Sequence, residues 1–326
     1  MGLGAYSSKA NSSKHELTNG KPIPLLIGAY FCPESPWFLV RAGRLDEAEH
    51  SLKRLAQKAD NVDHKQAIAL MVHTTELEKE AELGTSYVDC FKGTNLRRTE
   101  IACFSFMSQV FNGGALVYSP TYFLEQSGLA ANPSYGISLG ATGLSFIGTC
   151  LSWVLLPRFG RRPTFLVGFY IMLLCLWLIA ILACVGGNPK NIAYGQASLA
   201  LVWQLNYSMT VGPIVYTIVA EIGATRLRTK TVVLGRSSYY VANIIGGVFE
   251  SYMVNPSAWN WKGKAAFFWG ILSLITTIWA WFRLPETKNR TFEELDILFL
   301  RKIPSRKFAD AKIEEEDYSV LAHHNA

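Results

Sequence analysis

The residues with the most chemical potential are polar side chains set inside long apolar runs. Ser108, Gln109 and Asn112 interrupt one run, just ahead of Gly113-Gly114. Gln204, Asn206 and Ser208 interrupt a second, followed by Gly212-Pro213, and a third holds Asn243, Gly246-Gly247 and Glu250. Their chemistry is hydrogen bonding rather than bond making. An amide offers two donors and an acceptor, so Gln109 suits a sugar hydroxyl and equally suits a bond to a neighbouring helix. A Gly-Pro pair frees backbone carbonyls and bends a helix, as a plain kink or beside a cavity. Glu250 lies near the outer end of its run, where it reads either as a proton-carrying acid or as a hydrated interface residue.

Covalent and metal chemistry have no comparable footing. The six cysteines form no CxxC pair, none stands near a histidine at metal spacing, and four lie within apolar runs. There a thiol behaves as a small hydrophobe. His50, His64 and His73 fall in a charged stretch, and His15, His323 and His324 lie near the termini. With no Ser-His-Asp set and no phosphate loop, the expectation is a non-enzyme without cofactor or metal.

The elements that hold these polar groups follow from composition. Half of the chain (50%) is hydrophobic and only 17% is charged, against about a quarter charged in a soluble chain. That excess points to lipid as the solvent. The net charge of +6 comes from basic loops, with none of the aromatic interleaving that a nucleic-acid groove needs, so nucleic acid is not an expected partner. A bilayer-spanning helix needs about 20 apolar residues. Six segments qualify, at 101–123, 136–156, 164–185, 195–220, 232–254 and 265–284. The stretch 23–32, ahead of Pro33, is too short to cross. The expected fold is an all-α membrane protein: a six-helix bundle with additional cytoplasmic helices.

Charge asymmetry sets the orientation. Segments 33–99, 157–163, 221–236 and 283–326 carry twenty-five Lys and Arg, and the alternate segments 124–135, 186–194 and 255–264 carry three. Positive residues stay cytoplasmic, so both termini are expected there. The chain divides into a polar segment 1–21 that lacks the apolar stretch of a signal peptide, a partial helix 22–32, a cytoplasmic helical linker 33–100, the bundle 101–285 and a cytoplasmic tail 286–326 with acidic residues at 314–317. Leu45, Ala48, Leu52 and Leu55 predict an amphipathic linker helix, and 66–82 predicts a second.

Four charged motifs sit at the predicted cytoplasmic ends of spans. Pro33-Glu34-Ser35-Pro36-Trp37-Phe38-Leu39 resembles the motif after the sixth helix of sugar porters of the major facilitator superfamily. Arg158-Phe159-Gly160-Arg161-Arg162 resembles the loop between that family's eighth and ninth helices. Gly212-Pro213-Ile214-Val215-Tyr216, with Ala220-Glu221 and Arg228, is similar to its tenth helix and the following loop. Pro285-Glu286-Thr287-Lys288-Asn289-Arg290-Thr291 resembles the motif after the twelfth. The likeness covers residues 22–300. Within the family, the stretches 89–100 and 226–231 resemble the fungal permeases for maltose and other α-glucosides.

That resemblance implies a sugar site near mid-membrane between two six-helix halves. It implies that Gln109 lines the site, with Tyr216 as an aromatic platform, Asn243 as an amide, and Ser145 and Ser208 as further contacts. Val110 and Ala115 replace a second Gln and an Asn of the family pattern. This departure from hexose geometry suits a larger α-glucoside, or a chain no longer under selection. By the same resemblance, Glu34, Arg158, Arg162, Glu221, Arg228 and Glu286 form cytoplasmic ion pairs that latch the outward-open state, with anchoring of topology as the alternative. The implied partners are an α-glucoside or hexose, protons as coupling ion, and the bilayer, in a multi-pass protein of the plasma membrane. Such a porter has twelve spans, so six lead to the expectation of a truncated maltose-type proton symporter. The alternative is a non-transporting remnant or a nutrient-sensing relative.

Overall fold

The computed structural model describes residues 28, 30–55, 63–82, 86–114, 121, 125, 130–185 and 188–311, and its regular structure there is helical, with no strand among the described residues. Residues 1–27, the outer end of the first expected span beyond 114 (apart from 121 and 125) and the acidic cluster 314–317 lie outside that set. The chain forms two compact units, Met1–Gly84 and Thr85–Ala326.

The first unit holds α1 (Pro36–Arg41), α2 (Leu45–Leu55) and α3 (His64–Glu82). Pro36 opens α1, where its fixed φ and missing N–H cost nothing. Gly43, at φ 78°, turns the chain into α2. In α2, Asp46 and Glu47 occupy the first turn and Lys53 and Arg54 the last, which complements the helix dipole. Leu39, Val40, Ala48 and Ile68 form a small core, with Leu52, Met71 and Val72 packed on it. The α2 face is rotated from the predicted stripe: Ala48 and Ser51 are buried, while Leu45 and Leu55 are exposed. Ser51 takes its place because its hydroxyl donates to the Glu34 carbonyl.

The second unit is the bundle. It comprises α4 (Gly93–Gln109), α5 (Ala131–Phe159), α6 (Arg161–Leu182), α7 (Pro189–Met209), α8 (Val211–Ile222), α9 (Arg228–Val254), α10 (Ala265–Arg283) and the short α11 (Phe292–Leu300). Helix α6 is central and packs on α7, α10 and α8, while α5 lies against α7 and α4 against α9, α8 and α10. Phe165, Phe169, Met172, Leu176 and Ile179 of α6 enter a core shared with Trp203 and Trp269. Backbones cross closely where a residue is small, as expected for helices in lipid. A Cβ on Gly168 would collide with Thr210, and Asn206 Nδ2 donates to the Gly168 carbonyl at 2.8 Å.

Two of the six expected spans are broken rather than continuous. Helix α4 runs into a π turn, Val110–Gly114, in which Asn112 and Gly113 leave helical geometry and Gly113 reaches φ 80°. The fourth expected span splits at Thr210 (φ −118°, ψ −84°), just before Gly212-Pro213. Among the described residues, three helical stretches, Asn132–Phe159, Arg161–Leu182 and Lys262–Arg283, are long and apolar enough by composition alone to cross a bilayer. The others carry breaks or charges such as Arg236 and Glu250 in α9. Large apolar side chains face outward, among them Phe146 and Trp153 on α5 and Ile244 and Val248 on α9. A water-soluble surface would not present them in such contiguous strips.

Candidate functional site

Polar groups gather on α4, α7, α8 and α9. Gln109 ends α4 and is 4% exposed. Its Oε1 accepts a hydrogen bond from the Tyr207 hydroxyl at 2.7 Å, while its Nε2 is buried with no hydrogen-bond partner among the described residues. Tyr207 stacks on Trp203 with centroids 5.3 Å apart, and the buried Trp203 Nε1 is likewise without a partner there. Buried donors are ordinarily satisfied, so each of these two is a candidate partner for a polar ligand or water.

Tyr216, on α8, is half exposed and meets Phe106 of α4 edge-on at 5.4 Å. Arg236 of α9 donates to its hydroxyl at 3.0 Å. Counted by sequence with the cytoplasmic charges, Arg236 instead sits among rings, 4.6 Å from the Tyr239 centroid, 4.9 Å from Tyr240, 5.6 Å from Phe106 and 5.7 Å from Tyr216. A guanidinium over π faces is favourable and holds its fork in a fixed plane. Tyr239, Tyr240 and Asn243 follow Arg236 at i+3, i+4 and i+7, so they share one helix face, and Asn243 is exposed on it.

Other polar residues also make contacts between helices. Gln204 Nε2 donates to Ser145 Oγ at 2.7 Å, tying α7 to α5. Ser208 is buried where α5 crosses at Gly148, whose added Cβ would stand 3.0 Å from the Ser208 Cβ. Asn112 accepts from Ser273 at 2.9 Å and donates to Met172. Glu250 is held by the Trp269 indole N–H at 2.6 Å. The structure therefore brings Tyr216, Arg236 and the Gln109 end of α4 together through Phe106. The contacts of Ser145 and Ser208 belong to the α5–α7 crossing.

A second cluster gathers at the opposite ends of these helices. Glu286 accepts from the backbone N–H groups of Arg161 and Arg162, at 3.0 and 3.1 Å, and so caps α6. It also accepts from the N–H groups of Thr287 and Lys288, each at 3.0 Å. Glu221 is gripped by Arg161, with Nη2 2.6 Å from Oε1 and Nε 3.2 Å from both oxygens. The expected pairing role of Arg162 thus falls to Arg161, one position earlier. Arg162 donates to the Trp281 carbonyl at 2.9 Å, and Arg228 stacks on Phe292 at 3.8 Å. Arg158 is exposed and contributes its carbonyl to Lys288 Nζ at 2.7 Å. Glu34 is an exposed residue of the first unit.

Two ion pairs that motif spacing does not reveal complete this end: Arg98–Asp296 and Arg283–Glu100. Burial alone would raise the Glu100 pKa, but hydrogen bonds from Arg283 and from the Trp279 indole (3.1 Å) outweigh it and hold the carboxyl below its ordinary range. A depressed carboxylate stabilises the fold above its unfolded pKa and ceases to as pH falls through the folded value. Acidification below the ordinary Glu range is therefore expected to lower the unfolding temperature, and Glu100→Gln to flatten that slope. An unchanged acid slope in Glu100→Gln would exclude the pair as its source.

Residues 17–299 match the sequence model of the family described as "Sugar (and other) transporter". The chain belongs to the sugar transporter family. The General alpha-glucoside permease of Saccharomyces cerevisiae is 38% identical over 297 residues, covering 90% of this chain and 48% of that protein. Maltose permease MAL31 of the same yeast is 36% identical over 297 residues, with the same coverage. This sugar transporter chain thus spans about half the length of the curated relatives it matches. In fold it resembles the major facilitator superfamily proton:xylose symporter XylE, solved with 6-bromo-6-deoxy-D-glucose, with a TM-score of 0.62 at 20% identity over 84% of this chain and 56% of that one. The inward-open XylE from E. coli gives a TM-score of 0.59. The bundle is an all-α half of a major facilitator fold, and the protein is a multi-pass membrane protein.

Proposed function

We propose that this chain forms one wall of an α-glucoside permease of the plasma membrane, taking up maltose-like sugars with protons. The observation that carries the reading is Gln109, whose buried amide is fixed at Oε1 by Tyr207 and leaves Nε2 without a partner among the described residues. A ring hydroxyl placed against Nε2 satisfies that donor, which stays costly while unmade. Tyr216 supplies the aromatic face, with its hydroxyl oriented by Arg236, and Asn243 a second amide, while Ser145 and Ser208 set the spacing of α5 and α7. The names of the yeast permeases support the substrate class, and the twenty-five to three distribution of Lys and Arg supports cytoplasmic termini.

Alternating access needs two helical halves rocking about a shared site. In that cycle Glu221 with Arg161, together with Glu286 on the α6 terminus, forms the inner latch. The test joins residues 22–326 to the amino-terminal half of the General alpha-glucoside permease in transporter-null yeast and measures labelled maltose uptake. Uptake is expected, and Gln109→Ala should raise the half-saturating maltose concentration about tenfold, as expected for one buried hydrogen bond. Absence of uptake from protein at the cell surface, or unchanged saturation in Gln109→Ala, overturns the reading.

A further inference from the structure

A cavity of about 680 Å³ opens between the start of α4 and the ends of α10 and α11, lined by Lys92, Arg97, Arg283 and Lys302 together with Thr94 and Asn95. Its size falls among small-molecule sites, roughly 300–1,000 Å³, and no acid lines it. We propose that it binds a phosphate monoester, carried either by a membrane lipid headgroup or by a soluble phosphorylated metabolite.

Charge balance gives the first argument. Asp89 pairs with Lys92 at 2.9 Å, and Glu100 pairs with Arg283. Two carboxylates against four lining cations leave about two positive charges, the charge a phosphate monoester neutralises near pH 7. The cations also oppose one another. The Arg97 guanidinium is drawn below its ordinary range by burial and by Arg283, and Glu100 only partly offsets them.

Donor geometry gives the second. Arg97 is held rigidly, donating to the Ile303 carbonyl at 2.8 Å and to Ser305 Oγ at 2.6 Å, with the rings of Phe299 and Phe308 against it. Lys92 is the N-cap of α4 and gives that helix no side-chain cap, so the positive end of the dipole faces the same space. Gly93, at φ 52° and with open room around its Cα, keeps the backbone approachable. Arg283 closes an apolar stretch long enough to cross a bilayer, which sets the cavity at headgroup depth, where basic pockets between helices hold phosphorylated lipids.

The test uses the full chain in neutral phosphatidylcholine nanodiscs, titrated with dioctanoyl phosphatidylinositol 4-phosphate, with inositol 1,4-bisphosphate and with dioctanoyl phosphatidylinositol. At least one of the first two should bind about tenfold or more tighter than the unphosphorylated lipid. Binding of the lipid probe alone assigns the site to a headgroup, and equal binding of the soluble probe assigns it to a free phosphate ester. Lys92 and Lys302 are exposed, so Lys92→Gln with Lys302→Gln should retain the fold and weaken binding about thirtyfold, with the paired Lys→Arg changes preserving it. Equal binding of all three probes, or undiminished binding in the Gln pair, overturns the proposal. Neither readout depends on sugar uptake.

Discussion

Replacing Asp296 by Ala is expected to destabilise the bundle by about 3–5 kcal/mol, the cost of leaving a buried charge unpaired. Its partner Arg98 is 3% exposed and cannot reach water without a shift of α4. Arg98 donates to the Asp296 carboxylate, lies 4.4 Å over the Phe299 ring and reaches the Ile222 carbonyl at 3.4 Å. One guanidinium thus joins α4, α8 and α11. Burial pulls Arg98 below its ordinary range, and Asp296 opposes that pull. A guanidinium stays charged at any accessible pH, so the loss cannot be relieved by deprotonation. In detergent, at about 2–4 °C per kcal/mol for a chain of this class, the unfolding temperature should fall by roughly 6–20 °C. The double change Arg98→Met with Asp296→Leu should recover most of the loss, because it removes both charges together. A single variant within about 1 °C of the parent would show that Arg98 finds water after all.

Glu286→Ala should follow closely, at about 2–4 kcal/mol. One carboxylate satisfies four backbone N–H groups, two of them at the start of α6, and charge-assisted bonds of this kind contribute about 1.5–3 kcal/mol each before partial replacement by water. Gly160 is the independent check. It sits at φ 83°, and a Cβ there would stand 2.8 Å from Glu286 Oε2, so Gly160→Ala should displace the same carboxylate and add backbone strain. If both changes act through the cap, the double variant should be less destabilised than the sum of the singles. Strict additivity would show that Gly160 acts through its own backbone alone.

The helices were legible in the sequence because a bilayer-length apolar run has few other outcomes. The breaks were not. Hydropathy averages over a window, so the interruption at Thr210 and the π turn after Gln109 look like continuous span. Gly212-Pro213 signalled a bend, yet the chain bends two residues earlier, where Thr210 Oγ1 donates back to the Asn206 carbonyl at 2.6 Å. Of the six charged residues expected to pair, Glu221 does so among the described residues, with Arg161, while Glu286 caps α6. The motif supplied the arginines of the 158–162 loop, but which of them meets Glu221 depends on the rotation of α6 about its axis. The aromatic residues at i+3 and i+4 of Arg236 were a readable sign of its ring contacts. Tyr207, which fixes Gln109, and Asp296, which pairs Arg98 across 198 positions, carried no local signal.

The Glu286 cap also imposes an order in time. Its carboxylate lies 125 positions downstream of the Arg161 amide it receives. At about 5–20 residues per second of synthesis, that gap lasts roughly 6–25 s. During that interval the start of α6 is complete while its acceptor does not yet exist, so water or headgroup oxygens must hold those amides. The central helix of the bundle therefore reaches its final bonding only when nearly the last helical segment has been made.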